Sequence, residues 1–231
     1  GTRTRTENGN FVRKDFNETS AYTLNLQLNY NRTFGKHDIG AMFLYEQYEE
    51  WGDKFWAQRK ELLSPSLEQL FAGSADSQWK DADGNESEIG RIGYVGRINY
   101  GFDNRYLLEA NFRYDSSVKW IPGKRWGFFP SVEAAWVVTN ESWMNQSWLN
   151  YLKLNVGFDM VGNDDLDSKA SRTYFIAKKL LNSAAGLTMG NIGNTRLQWE
   201  TTTRWTAGLN FSVLNNRLSG SFNYFNSRTS D

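Results

Sequence analysis

A chain of 231 residues, 39% apolar and 23% charged, has room for one large β domain or two small ones. Its 26 basic side chains balance 26 acidic ones, so no net charge argues for nucleic acid as a partner. With no cysteine there is no disulfide framework, thiolate metal site or cysteine nucleophile, and no apolar run nears the ~20 residues of a spanning helix.

Aromatic residues make up 16% of the chain, and they favour strands and membrane interfaces. The mean hydropathy of −0.64 still allows a membrane barrel, which spreads its apolar band by alternation. The chain opens on Gly1 without a signal peptide, so a mature, soluble or partial chain is expected.

Residues 1–20 are polar and read as the end of a long loop. The first strand follows, with Leu24, Leu26, Leu28 and Tyr30 alternating against Asn25, Gln27 and Asn29. After the short turn Gly35-Lys36-His37-Asp38, a second strand puts Ile39, Ala41, Phe43 and Tyr45 on one face. A long connection is expected from about Gly52 to Glu88. Within it, "SPSLEQLFAGS" predicts helical turns, with Ser64 or Ser66 as N-cap, Gln69 at the capping-box position and Gly73 at the C-terminal cap. "DADGNESE" (81–88) departs from the calcium-loop spacing and is expected to be an exposed polar turn around Gly84.

The clearest pattern runs from Arg91 to Asp115. Ile92, Tyr94, Ile98, Tyr100 and Phe102 share one face with Tyr106, Leu108, Ala110, Phe112 and Tyr114 across the turn Asp103-Asn104-Arg105. The other face holds Arg97, Asn99, Glu109, Asn111 and Arg113. A long connection, 116–127, leads to a strand with Phe128, Val132, Ala134, Trp136 and Val138 together, opposite Ser131, Glu133 and Ala135. A middle-length link, 139–150, precedes Leu152, Leu154, Val156, Phe158 and Met160 against Lys153, Asn155 and Asp159. A third long connection, 162–200, holds "GNIGN" (190–194) as loop. Trp205, Ala207, Leu209, Phe211 and Val213 then alternate with Arg204, Thr206, Asn210 and Ser212. Past Asn215-Asn216, Leu218, Phe222 and Tyr224 alternate with Ser219, Ser221 and Asn223. That makes eight strands.

Short turns alternate with long loops, as in outer-membrane barrels. The strands reach the 9–11 residues that cross a bilayer at a tilt, and aromatics gather toward their ends. The fold class expected is all-β: an antiparallel transmembrane β-barrel segment of about eight long strands, with helical turns in its outer loops. A soluble β-sandwich binding module and a small complete barrel acting as an adhesin or structural protein are the rival readings. The small barrel requires its first and last strands to pair.

The polar face would then line a wet interior through Arg97, Glu109, Arg113, Lys153, Asp159 and Arg204. Loop tryptophans Trp56, Trp79 and Trp120 are the candidates for cargo contact, because exposed rings stack on sugars and peptide side chains. Trp126 is expected to pack where its strand begins, and Trp143 and Trp148 to join an interface belt. His37, the one histidine, has no partner for metal or acid–base work. Glu46, Glu49 and Glu50 are split between faces and read as a solvated rim. No catalytic residue, metal site or cofactor is expected, and no enzyme activity.

Five stretches also resemble a known family: "NYNRTFGKHDIGAMFLYEQ" (29–47), "GRINYGFDNRYLLEANFRYDSS" (96–117), "RWGFFPSVEAAWVVTNESWM" (125–144), "LKLNVGFDMVGND" (152–164) and residues 194–231. They are similar, in order, to the SusC/RagA-type TonB-dependent outer-membrane transporters, and the likeness fades over 52–88 and 165–190. The resemblance implies a 22-stranded barrel, an N-terminal plug domain and a TonB-contacting segment before it. It also implies a SusD-like surface lipoprotein as lid and oligosaccharide or peptide cargo, in the outer membrane of a Gram-negative bacterium. On that basis residues 1–231 are expected to be part of one barrel domain, meeting the lipid bilayer, with plug and TonB-contacting segment outside this chain.

Overall fold

The computed structural model describes residues 2–4, 11–64, 66–167, 170–179 and 185–230. Strand follows strand: β1 (Thr2–Thr4), β2 (Phe11–Phe34), β3 (His37–Lys60), β4 (Lys80–Phe102), β5 (Tyr106–Ser117), β6 (Trp126–Val137), β7 (Leu149–Asn163), β8 (Tyr174–Lys179), β9 (Ala185–Asn191), β10 (Glu200–Val213) and β11 (Leu218–Ser230). One antiparallel sheet holds nine of them in the order β1-β2-β3-β4-β5-β6-β7-β10-β11, while β8 and β9 pair apart. Among the described residues β11 pairs only with β10. Among the described residues the first and last strands therefore do not pair as a small closed barrel requires.

The chain divides into two units, residues 1–23 with 48–90 and residues 24–47 with 91–231. In the first, several sequence expectations need correction. β2 begins at Phe11 inside the expected loop, β3 continues to Lys60 and β4 starts at Lys80. "DADGNESE" is strand rather than turn. These stretches are polar or mixed on both faces, so they carry no alternation to betray them, and backbone pairing holds them extended. The helical segment shrinks to a 3₁₀ turn, Leu70–Ala72, with Gln69 and not a serine at its N-cap. Gly73 closes it in extended conformation, its N–H donating to the Leu70 carbonyl. A small core of Val12, Leu62 and Ala72, with Leu70 against it, lies in this unit.

In the second unit the hairpin turns follow their residue chemistry. Gly35 takes φ +60°, Asp103 and Asn104 take +53° and +52°, and Leu214, Asn215 and Asn216 are also left-handed. Val138 leaves the sheet face expected for it: β6 stops at Val137, and Val138 opens a 3₁₀ turn to Asn140 with its side chain buried. The long connection 162–200 contains the β8–β9 hairpin, so Gly190 and Asn191 are strand.

Register confirms the faces. Tyr94↔Tyr114, Gly96↔Phe112, Ile98↔Ala110, Tyr100↔Leu108 and Phe102↔Tyr106 pair across β4 and β5. The rows continue as Tyr114↔Phe128, Ala110↔Val132 and Tyr106↔Trp136, then Trp136↔Leu154 and Leu154↔Leu209. Directly paired residues share a face. This face is not sealed in a protein core: Leu108, Phe112 and Leu154 are 43%, 37% and 38% exposed.

Candidate functional site

The second unit's sheet has two chemically opposite faces. On the polar one, a single register row crosses five strands: Arg97↔Asn111↔Ser131↔Asp159↔Arg204. The next row sets Asn99 against Glu109 and Glu109 against Glu133. Arg113 and Lys153 lie on the same side by parity, so Arg97, Glu109, Arg113, Lys153, Asp159 and Arg204 share one face. Arg204 pairs with Asp159 at 2.9 Å. Arg113 grips Asp115 with two nitrogens, 3.0 and 2.9 Å, and reaches Glu46 at 3.5 Å. The Arg97 Nε donates to Asn111 Oδ1 at 2.9 Å, and the Asn111 amide donates to Glu109 at 2.7 Å. Asn155 donates to Glu133 at 3.2 Å.

A recess of about 820 Å³ opens on this face, lined by Arg97, Arg113, Asp159 and Arg204 among others. A smaller one, about 420 Å³, is lined by Asp38, Asn99, Glu109, Glu133 and Lys153. Sequence reasoning placed Glu133 and Asn155 on this face by parity but did not single them out. Phe129 obeys the same parity, yet its ring is only 7% exposed.

On the opposite face the hollows are apolar. Tyr100, Leu108, Trp136 and Leu154 line one, and Leu28, Phe43, Ile98 and Phe112 another. Aromatic rings bound this face at two levels. Toward the long loops, Tyr114 stacks on Trp126 at 4.5 Å, Tyr94 lies 6.0 Å from Trp126, and Tyr45 is 5.5 Å from Tyr94. Trp126 therefore packs where β6 begins, as expected. Toward the short turns, Phe102 stacks with Tyr106 at 6.4 Å and Trp136 lies 6.4 Å from Trp143. His37 packs 4.9 Å from Phe102, with Nδ1 2.8 Å from the Tyr100 hydroxyl. Trp126 and Trp136 bound the same strand, ten residues apart. At ~3.3 Å per residue and a tilt of ~40°, that is a band ~25 Å tall.

At the short-turn end a polar knot, unnoticed in the sequence, ties three connections together. Glu141 accepts from the Tyr106 hydroxyl (2.6 Å), the Trp136 indole (3.0 Å) and Arg105 (3.0 Å). Asp103 accepts from Arg105 and from Lys36 at 2.8 Å. Hydrogen bonds from Tyr106 first, then Trp136 and Arg105, outweigh burial and hold the Glu141 carboxyl below its ordinary value. Lys36, then Arg105, do the same for Asp103.

The tryptophan candidates fare differently. In the first unit, the Arg13 guanidinium sits 4.1 Å over the Trp56 ring, which is half-buried. Trp79 is half-buried in a 3₁₀ turn, Ser77–Trp79. In the second unit, Trp120 is a correction: at 1% exposure its ring has no face free for cargo. It packs against Trp199 at 6.0 Å, and Trp199 meets Phe129 edge-on at 5.2 Å. Around it, Ser171 donates to Lys119 O, Arg172 to Val118 O and the Trp199 indole to Arg125 O. Residues 117–125, Ser171, Arg172 and Trp199 thus meet around this buried ring.

No family model matches the chain. Residues of the chain are 33% identical over 142 positions to TonB-dependent receptor P26 of Formosa agariphila, covering 60% of this chain and 14% of that protein. They are 32% identical over 148 positions to TonB-dependent receptor SusC of Bacteroides thetaiotaomicron, covering 61% of this chain and 15% of that protein. The fold superposes on the structure of the RagAB peptide importer in its closed-closed state with a TM-score of 0.83 and 24% identity. That match covers 96% of this chain and 24% of the other. The chain matches a barrel segment of a SusC/RagA-type transporter. The matched residues span about one seventh of the length of these two curated relatives.

Proposed function

We propose that the chain is part of the wall and outer loops of an outer-membrane importer of a Gram-negative bacterium. The apolar face meets lipid, and the polar row from Arg97 to Arg204 looks onto a watery interior. Cargo, oligosaccharide or peptide, binds among outer loops and interior side chains under a SusD-like lipoprotein. TonB, acting through an N-terminal segment and plug outside this chain, supplies the energy. The observation that carries the reading is the apolar band between the Trp126 and Trp136 levels, free of charged side chains on that face of β6. Its height of ~25 Å is that of a barrel's lipid-facing band. The resemblance to TonB-dependent receptors supports the rest.

The test uses the full-length protein in outer membranes, on a cysteine-free background. Single cysteines replace Val156 and Asn155, neighbours on opposite faces of β7. A charged, water-soluble maleimide is expected to label position 155 and spare position 156. Equal labelling of both removes the lipid contact. Uptake of peptides or glycans, and co-purification of the lipoprotein, test the transport reading itself.

A further inference from the structure

We infer that the larger recess on the polar face is a binding site for a zwitterionic ligand, a carboxylate close to an ammonium as in an amino acid or short peptide, with Arg97 as its anion anchor. The inference rests on the importer reading for why such a ligand reaches this face. Three guanidinium groups line the recess. Arg113 is occupied by Asp115 and Glu46, and Arg204 by Asp159. Arg97 is different: among the described residues its polar contact is the single Nε bond to Asn111 Oδ1. Asn111 is itself held by Glu109. The guanidinium is therefore tethered at Nε, while both terminal nitrogens of its fork stay uncommitted. That fork matches a carboxylate in bidentate fashion.

The surroundings select the ligand's other end. Glu133 lines the same recess and directly faces Glu109 across β5 and β6. Like charges in direct opposition are unfavourable, and neither carboxylate has a cation within ion-pair distance among the described residues. A dianionic phosphate on Arg97 would meet their repulsion; an ammonium group beside the bound carboxylate would relieve it. The Cα atoms of Arg97 and Glu133 stand two strands and two residues apart, ~12 Å, and their side chains reach toward a span that suits a dipeptide. A volume of about 820 Å³ is within the usual range for small-ligand sites.

The test measures binding of the dipeptide alanyl-alanine, its C-terminal amide and maltose to the full-length protein in detergent, by calorimetry. The dipeptide is expected to bind at least tenfold more tightly than its amide, and maltose not to compete. Arg97→Gln should remove that preference, Arg97→Lys should restore part of it, and Glu133→Gln should weaken the dipeptide but not N-acetylated alanyl-alanine. Unchanged heat-modifiability of each variant on gels certifies the fold. Equal binding of dipeptide and amide, no dipeptide binding by correctly folded protein, or an Arg97→Gln variant that behaves as wild type each overturns the inference. Failure of the importer reading shows separately, as loss of the labelling contrast between positions 155 and 156 or as absent uptake.

Discussion

Phe112 lies over Gly96, its directly opposed partner across β4 and β5. A Cβ placed on Gly96 would stand 2.2 Å from the ring. Phe129 covers Gly162 even more tightly, at 2.0 Å, but in another setting. Phe112 is 37% exposed on the apolar face and can swing outward. Phe129 is 7% exposed, hemmed by Gly127 and by Trp199. Gly96→Ala is therefore expected to cost less than about 1 kcal/mol, and Gly162→Ala about 1–3 kcal/mol through overpacking. Urea unfolding of the full-length protein in lipid vesicles compares them. A reversed order would show that the Phe112 ring is the more confined of the two.

The two faces of β7 give a sharper contrast. Val156 is 61% exposed on the apolar face, opposite Ala134 and two residues inside the Trp136 level, and Asn155 lies beside Glu133 on the polar face. An arginine in the middle of the lipid-facing band costs about 2–4 kcal/mol, while the interior tolerates it. Val156→Arg, nearer the short-turn edge of that band, should lower vesicle stability by about 1–2 kcal/mol, and Asn155→Arg should leave it nearly unchanged. Equal effects would mean that both positions face water.

The polar knot carries an acid dependence. Glu141 is held below its ordinary value of 4.5. A depressed carboxyl pKa stabilises the folded state above the unfolded value, and that stabilisation is lost as pH falls through the folded one. Thermal unfolding of wild type should thus be flat from neutrality to about pH 5 and fall below it, with Asp103 adding to the decline. Glu141→Gln should unfold earlier at neutral pH and show a shallower fall in acid. A parallel pair of curves would assign the acid dependence to other carboxylates.

What the sequence made legible follows from what alternation encodes. Where one face is apolar and the other polar, as from Ile92 to Tyr114, a one-residue slip would invert every side chain, and the strands could be read off with their faces. Lys80–Glu88 is polar on both sides, so its strand left no mark. Trp120 failed for a different reason. Loop position does not encode burial, and the ring's partner, Trp199, lies 79 residues along the chain (199 − 120). The knot at Glu141 likewise joins residues from three separate connections and has no local signature.

The loop core built on Trp120 makes the last prediction. Removing a buried tryptophan costs roughly 3–5 kcal/mol where the site cannot collapse. Here the loss should fall on the loops, because the neighbouring strands keep their ladders while Ser171, Arg172 and the Trp199 indole anchor to loop carbonyls. Trp120→Ala should therefore open cleavage by trypsin at Lys119, Lys124 and Arg172 while the barrel still migrates as folded on a heat-modifiability gel. Trp56→Ala, which removes a half-buried ring beneath Arg13, should leave those sites protected. Mass spectrometry of the first fragments decides between them. If Trp120→Ala is as resistant as wild type, the loops owe their order to something other than this core.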